Sequence, residues 1–226
     1  MAVPQPFDLF LVVDFEATCE GENTRIYPQE IIEFPAVLVD AATGVVVSEV
    51  RTYVRPRHHP RLTEFCVNLT GMSQGVAGAP CGLNVAPPLL TGIQQRQVDA
   101  GVELTQALAM HDAWLREAVG ARSFAVVTWG DWDCKTMLEF ECRFKGIAKP
   151  AYFNRWVDLR VHFEAKFVDA RGQRRNLQEA VLEAGLPWEG RLHSGLDDAR
   201  NAARLLAELM RLGVAISITG SLPGAP

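Results

Sequence analysis

Several features are scarce or missing in this sequence, and each of them narrows the class of protein. Only five cysteines are present, at positions 19, 66, 81, 134 and 142, and no two stand in CxxC spacing. The odd count and the spacing argue against a disulfide framework and against a zinc site. No apolar run approaches the roughly 20 residues that a membrane-spanning helix needs. We therefore expect reduced thiols and a fold held by an ordinary hydrophobic core.

An excess of positive charge is also missing, and so is a recognisable secretion signal. The formal net charge is −5, which argues against binding nucleic acid by electrostatic attraction alone. It does not argue against an enzyme that holds nucleic acid through divalent cations, because such ions reverse the local field. The opening residues MAVPQP contain neither the basic nor the apolar part of a signal peptide. We expect a protein of the cytoplasm, the nucleus or both, with no membrane contact.

The order of predicted elements indicates the fold class. Hydrophobic residues make up 48% of the 226 residues, enough for a large core. Apolar runs predict strands at 8–14, 31–39, 45–54, 123–129 and 152–157. Helical spacing predicts helices at 60–69, 102–119, 132–144, from 158, at 176–184 and at 196–212. Strands come first and then alternate with helices, which predicts an α/β fold with a mixed central sheet flanked by helices.

One segment has no predicted secondary structure. Residues 72–92 are rich in Gly and Pro and almost uncharged, so we expect a disordered insertion within a single domain at 7–213. The tripeptide LTG stands at 69–71 and again at 90–92, and deleting 72–92 joins the flanking segments smoothly. We hypothesise a retained intron or an alternative exon, which transcript sequencing across the junction tests. Residues 214–226 are expected to form a C-terminal tail.

The segment DLFLVVDFEATCEGE at 8–22 carries the first chemical signal. Alternate side chains of a strand share a face, so Asp14 and Glu16 point one way and Phe15 points the other. Two like charges so placed repel unless a cation lies between them. The alternative is a strand end wetted by solvent, and a DxE pair by itself does not distinguish the two.

A second pair of carboxylates follows a later strand. TWGDWD at 128–133 contains Asp131 and Asp133. Asp133 begins a helical stripe with Met137, Phe140 and Phe144 that we expect to face the core, where a charge needs a partner. Asp131 precedes the stripe and is equally suited to capping the helix.

The third cluster is HSGLDDARNAARL at 193–205. Helical spacing directs Asp198 inward and Asp197 toward solvent. His193 precedes Asp198 by five residues, and a histidine beside an inward carboxylate is a candidate for proton transfer.

The inward carboxylates form a pattern that predicts metal chemistry. Asp14, Glu16, Asp133 and Asp198 would repel one another if they met without a cation. Hard oxygen ligands of this kind favour Mg²⁺ or Mn²⁺. Two such ions, about 4 Å apart, activate water and stabilise a leaving oxygen in phosphodiester hydrolysis.

These motifs, in this order, resemble those of the DEDDh 3′–5′ exonucleases, and in particular the Eri-type branch of histone-mRNA and small-RNA 3′ exonucleases. DFEATCE is similar to the first motif of that branch, TWGDWD to the second and HSGLDDARNAARL to the third, and the similarity covers about residues 7–213. The resemblance implies a ribonuclease-H-like fold. It also implies hydrolysis of single-stranded or 3′-overhanging RNA to nucleoside 5′-monophosphates.

The resemblance further implies a metal centre. Two Mg²⁺ or Mn²⁺ ions would be held by Asp14, Glu16, Asp133 and Asp198. His193 would be the general base that deprotonates the attacking water.

It also implies residues that contact substrate. Phe15 and the backbone near Ala17 and Thr18 would hold the terminal nucleotide. Trp129 and Trp132 flank the second motif and either stack on bases or belong to the core.

Two alternatives remain at this point. One is an exonuclease of DNA, or of both DNA and RNA. The other is a catalytically silent nucleic-acid-binding homologue, in which residues 72–92 block the substrate groove.

Overall fold

The structure is a computed structural model that describes residues 3–21, 26–69, 93–167 and 174–224. The strands are β1 (Leu9–Val13), β2 (Glu16–Ala17), β3 (Ile31–Asp40), β4 (Val46–Tyr53), β5 (Phe124–Thr128), β6 (Arg155–Asp158) and β7 (Gly220–Ser221). The α-helices are α1 (Glu64–Leu69), α2 (Gln95–Asp99), α3 (Leu104–Val119), α4 (Glu139–Lys145), α5 (Leu159–Phe167), α6 (Leu177–Glu183) and α7 (Gly195–Arg211). A π-helix (Trp132–Leu138) runs directly into α4, and a 3₁₀ turn (Ala151–Asn154) precedes β6. The predicted insertion at 72–92 lies outside the described residues.

The strands form one mixed sheet, as the sequence predicts. β1 pairs antiparallel with β3 and parallel with β5, and β5 pairs parallel with β6. β3 lies between β4 on one side and the successive strands β1 and β2 on the other. The parallel arrangement of β1 and β5 brings their carboxyl ends to the same edge of the sheet. The polar segments that follow these two strands therefore meet there.

Both faces of the sheet are covered, which explains the unbroken apolar run of β1. Leu9, Leu11 and Val13 belong to a core cluster that includes residues of α3, whereas Phe10 and Val12 belong to one that includes residues of α7. A strand buried on both faces has no polar alternation. Within the described ranges, no helix combines the length and the apolar character needed to cross a membrane.

The helix after β5 departs from the predicted stripe. Its first turns are π-helical, and i→i+5 hydrogen bonds add a residue to each turn. Met137 faces the core as expected, but in the following turn the buried residues are Glu141 and Cys142, and Phe140 is only partly buried. Phe144, which the sequence places in the core, is 43% exposed. Local widening of the helix thus turns two phenylalanines toward the surface.

The C-terminal segment also differs from the expected tail. Residues Gly220–Ser221 form β7, which pairs antiparallel with β6 at the sheet edge. Ile216 is fully buried in the cluster beneath α7. An unpaired edge strand and an uncovered apolar surface both favour such a docked segment.

Candidate active site

The predicted carboxylates converge at the edge where β1 and β5 end. Asp14 and Glu16 follow β1, Asp133 opens the π-helix after β5, and Asp198 lies in the first turn of α7. The Asp133 Oδ1 atom accepts a hydrogen bond of 2.8 Å from the backbone N–H of Phe15. This bond ties the segment after β5 to the segment after β1, so the first two motifs are held together by the protein itself.

The third motif is brought to the cluster by the start of α7. The first residue of α7, Gly195, packs so closely that an added Cβ would lie 2.6 Å from the Asp14 carbonyl oxygen. Glu33 of β3 is buried and accepts hydrogen bonds of 3.2 Å from the N–H groups of Gly195 and Leu196. Arg51 forms a 2.7 Å ion pair with Glu33. Glu33 therefore anchors the positive end of the α7 dipole beside β2.

Three of these side chains are close enough to share a cation. Glu16, His193 and Asp198 each offer a ligand atom, and these atoms lie within 4.8 Å of one another. The Asp198 Oδ2 atom accepts a 3.0 Å hydrogen bond from the His193 backbone N–H. The Oδ1 atom of Asp198 is buried and has no hydrogen-bond partner among the described residues. A buried carboxylate oxygen without a donor is the environment that a cation would satisfy.

The electrostatics of the cluster reflect crowding of like charges. Burial, followed by the charges of Asp133 and Asp198, raises the pKa of Asp14 well above its ordinary value. Burial and the charge of Asp198 do the same for the pKa of Glu16. Burial raises the pKa of Asp133 to about 7 and that of Asp198 to about 8. A divalent cation would restore the ionised forms.

His193 has an unusual backbone conformation. Its φ of 58° lies in the left-handed region, which is sparsely populated by residues other than glycine. The bond from its N–H to Asp198 holds it there, with the side chain accessible to solvent. Partial burial of the ring lowers the pKa of His193 below its ordinary value, which favours the neutral ring at pH 7. A neutral imidazole can accept a proton.

A cleft of about 320 Å³ opens beside the cluster. Its wall includes Asp14, Asp133, His193 and Asp198, together with three tryptophans, Trp129, Trp132 and Trp188. Trp129 is partly buried: its ring packs edge-on against Phe163, and the Arg160 guanidinium lies 5.3 Å from its centroid. Trp132 is 38% exposed. Trp129 thus belongs partly to the core and partly to the cleft wall, whereas Trp132 faces the cleft, and stacking of either ring on a base stays a prediction.

Other candidates do not reach the cleft. The Phe15 ring is buried in the core, 4.6 Å from the Phe34 ring, and does not line the cleft. The side chains of Ala17 and Thr18 are buried, and the Thr18 hydroxyl accepts a hydrogen bond from the Glu30 N–H. Contact between the backbone of these two residues and a nucleotide stays a prediction. The Asp131 side chain makes no N-capping hydrogen bond, because its carboxylate accepts hydrogen bonds from the Trp156 indole N–H and from Lys135. These residues shape the loops beside the site.

Glu33 and Trp188 are among the residues of the site that sequence reasoning missed. Glu33 interrupts the apolar strand IIEFPAVLV, and a lone acid in such a run needs a buried partner, which is the signal that would have singled it out. Trp188 follows a Gly-Leu-Pro turn with no motif around it, and only the packing of the turn against the cleft places it in the wall.

Comparison with known sequences gives a consistent result. The model of the family described as Exonuclease (RNase_T) matches residues 11–79 and 88–206. ERI1 exoribonuclease 2 of Homo sapiens is 37% identical over 239 residues, which cover 98% of this chain and 31% of the human protein. The chain thus spans about a third of that relative. The 3′-5′ exonuclease Snipper of Drosophila melanogaster is 37% identical over 234 residues, covering 96% of this chain and 75% of Snipper.

Solved structures show the same architecture. The nuclease domain of 3′hExo, a DEDDh family member bound to rAMP, matches with a TM-score of 0.82 and 28% sequence identity. The match covers 96% of this chain and 98% of that domain. The predicted ribonuclease-H-like arrangement of a mixed sheet flanked by helices is confirmed.

Proposed function

The chain belongs to the exonuclease family, in its DEDDh, Eri-type branch, and we propose that it is a metal-dependent 3′–5′ exonuclease of RNA. One observation carries the proposal. Four carboxylates and a histidine from three distant segments converge on one open cleft. Such a cluster is self-repelling without a cation, and this composition is that of a two-metal phosphodiesterase centre.

The residues present fit a divalent cation. All four acids offer oxygen, which Mg²⁺ and Mn²⁺ prefer, and the Oδ1 atom of Asp198 needs a partner. In our proposal, Asp14, Glu16, Asp133 and Asp198 hold two such ions. When bound, the ions would lower the pKa of a water molecule and stabilise the charge of the departing oxygen.

The chain's own residues supply the proton transfer and the orientation. His193 is the general base: its neutral ring takes a proton from the attacking water. The bond between its N–H and Asp198 fixes the loop that carries the ring. Glu33 and Arg51 hold the start of α7, and with it Asp198, against β2. The hydrogen bond from the Phe15 N–H to Asp133 holds the segment after β5 against the segment after β1.

The choice of RNA rests on the relatives. ERI1 exoribonuclease 2 is named for RNA, and the 3′hExo domain was captured with rAMP. We infer that this chain, too, releases nucleoside 5′-monophosphates from RNA 3′ ends. A DNA or dual substrate is the second candidate, because Snipper is named as an exonuclease without reference to RNA.

Digestion of a 5′-labelled single-stranded RNA tests the proposal. It is run beside a DNA of the same sequence, with Mg²⁺, with Mn²⁺ and with EDTA. We expect a ladder that shortens from the 3′ end, requires metal and disappears in the double variant Asp14→Asn, Glu16→Gln. The control Glu117→Gln, on the exposed face of α3, should keep full activity. A ladder that persists in EDTA, or in the double variant, would refute the metal assignment.

A further inference from the structure

The outer face of the π-helix and α4 connects the cleft to a group of surface aromatic rings. Trp132, Thr136, Phe140 and Phe144 follow at four-residue intervals, a spacing that forms a ridge along a helix surface. Trp132 lines the cleft, and Phe144 at the other end is 43% exposed. At about 1.5 Å per residue, the two ends lie about 15–18 Å apart.

Two side chains from other loops extend this ridge. The Tyr27 ring, whose residue is 70% exposed, lies 5.6 Å from Phe140 and 6.1 Å from Phe144, centroid to centroid. The His58 ring contacts Phe144 edge-on at 5.2 Å. We call Trp132, Phe140, Phe144, Tyr27 and His58 the aromatic ridge. Exposed aromatic side chains grouped in this way mark interaction sites.

Charged side chains of both signs lie beside the ridge. Three nearby acids pair with lysines: Lys145 contacts the buried Glu30 at 2.7 Å and the buried Glu141 at 2.6 Å, and Lys149 contacts Glu139 at 2.7 Å. Arg57 and Arg143 are exposed on the same loop and helix as His58 and Phe144. The ridge therefore has two exposed arginines beside its rings, although the whole chain is acidic; of these, Arg143 also lies 4.0 Å from Glu139.

We propose that the aromatic ridge binds the upstream nucleotides of a single-stranded RNA whose 3′ end occupies the cleft. This rests on the proposed exonuclease function. Aromatic platforms with neighbouring arginines are how proteins bind single strands. At about 3.4 Å per stacked nucleotide, the far end of the ridge, at Phe144, would be reached by about the fifth nucleotide from the 3′ end. A stable protein partner would require about 800 Å² of surface on each side, and a narrow ridge bordered by arginines suits a nucleic-acid strand better.

Fluorescence anisotropy with labelled oligoadenylates tests the ridge separately from catalysis. All proteins in this assay carry Asp14→Asn, which suppresses hydrolysis of the probe. The two probes are about ten and about three nucleotides long, so that only the longer one spans the distance to Phe144. In the variant Tyr27→Ala, Phe144→Ala, we expect binding of the longer probe to weaken at least about fivefold, the lower limit for loss of base stacking. Binding of the shorter probe, which does not reach these rings, should keep its affinity.

Matched variants separate stacking from general damage. Tyr27→Phe, Phe144→Tyr keeps both rings and should keep affinity, and so should Met110→Ala, which truncates a 46% exposed side chain on α3. The double variant Arg57→Gln, Arg143→Gln should make the slope of log affinity against log salt concentration shallower, by an amount equivalent to about one phosphate contact or more. Equal affinity of the ring-less and parent proteins for the longer probe would overturn the ridge proposal. If the ring-less variant loses binding of the longer probe but the unsubstituted chain hydrolyses no RNA, the exonuclease proposal is overturned and the ridge proposal is not.

Discussion

Replacing Glu16 with glutamine separates the electrostatic cost of the site from its metal affinity. The carboxylate oxygens of Glu16 and Asp198 lie no more than 4.8 Å apart. At an effective dielectric constant of about 20, two unit charges at that distance repel by about 3 kcal/mol. Glutamine keeps the shape and removes the charge. In EDTA at alkaline pH, we expect Glu16→Gln to increase the free energy of unfolding by about 1–3 kcal/mol.

A divalent metal ion should make the parent protein more stable than Glu16→Gln, the reverse of the order expected in EDTA. A cation present at about 100 times its dissociation constant stabilises the folded state by about 2.7 kcal/mol. Glu16→Gln, which lacks one ligand, should gain much less and become the less stable protein. The pKa of Glu16 is raised in the folded state, so its protonated form is favoured there. Without metal, the stability of the parent protein is therefore full below the pKa that Glu16 has in the unfolded chain, and it falls as pH rises above that value. The stability gained by Glu16→Gln should accordingly grow toward alkaline pH.

Urea unfolding followed by tryptophan fluorescence measures both effects, with Glu117→Gln as the exposed control. The reasoning fails if Glu16→Gln is less stable than the parent in EDTA, because Glu16 would then make a favourable contact. It fails equally if Mn²⁺ stabilises both proteins by the same amount, because Glu16 would then not be a ligand.

Three further outcomes follow from buried groups. Burial lowers the pKa of His111 to about 4 from 6.5, so its contribution to stability is complete above pH 6.5 and is lost as pH falls toward 4. The loss is about 3 kcal/mol and should vanish from the urea-unfolding profile of His111→Gln. Lys145→Met removes the cation that pairs with the buried Glu30 and Glu141, which keep only their hydrogen bonds from backbone N–H groups. It should cost about 3–5 kcal/mol in the same assay, and a loss below about 1 kcal/mol would contradict the pairing. Gly195→Ala places a methyl group against the backbone after β1. It should abolish stabilisation by Mn²⁺ in thermal unfolding, and an unchanged metal response would show that α7 can shift without cost.

Much of the site was predictable because its chemistry needs particular residue types. Asp14, Glu16 and Asp133 follow strands that the apolar runs reveal, and Asp198 lies on the apolar side of a strongly amphipathic helix. Those patterns depend only on the period of the local backbone. Glu33 was missed because its partners, the N–H groups that begin α7, lie more than 160 residues away in the chain.

The sequence by itself determined the mixed sheet, the inward carboxylates and the family to which the motifs belong. Only the tertiary structure decided that Phe15 is a core residue, that Trp188 lines the cleft and that Phe144 faces solvent. The exposure of Phe144 depends on the π-helical turn, which changes the helical phase although the turn contains no glycine or proline that would predict it from the sequence. A period of 3.6 residues is a property of isolated backbone geometry. Which residues a helix finally buries is set by packing and by long-range hydrogen bonds, such as the one between Asp133 and the Phe15 N–H.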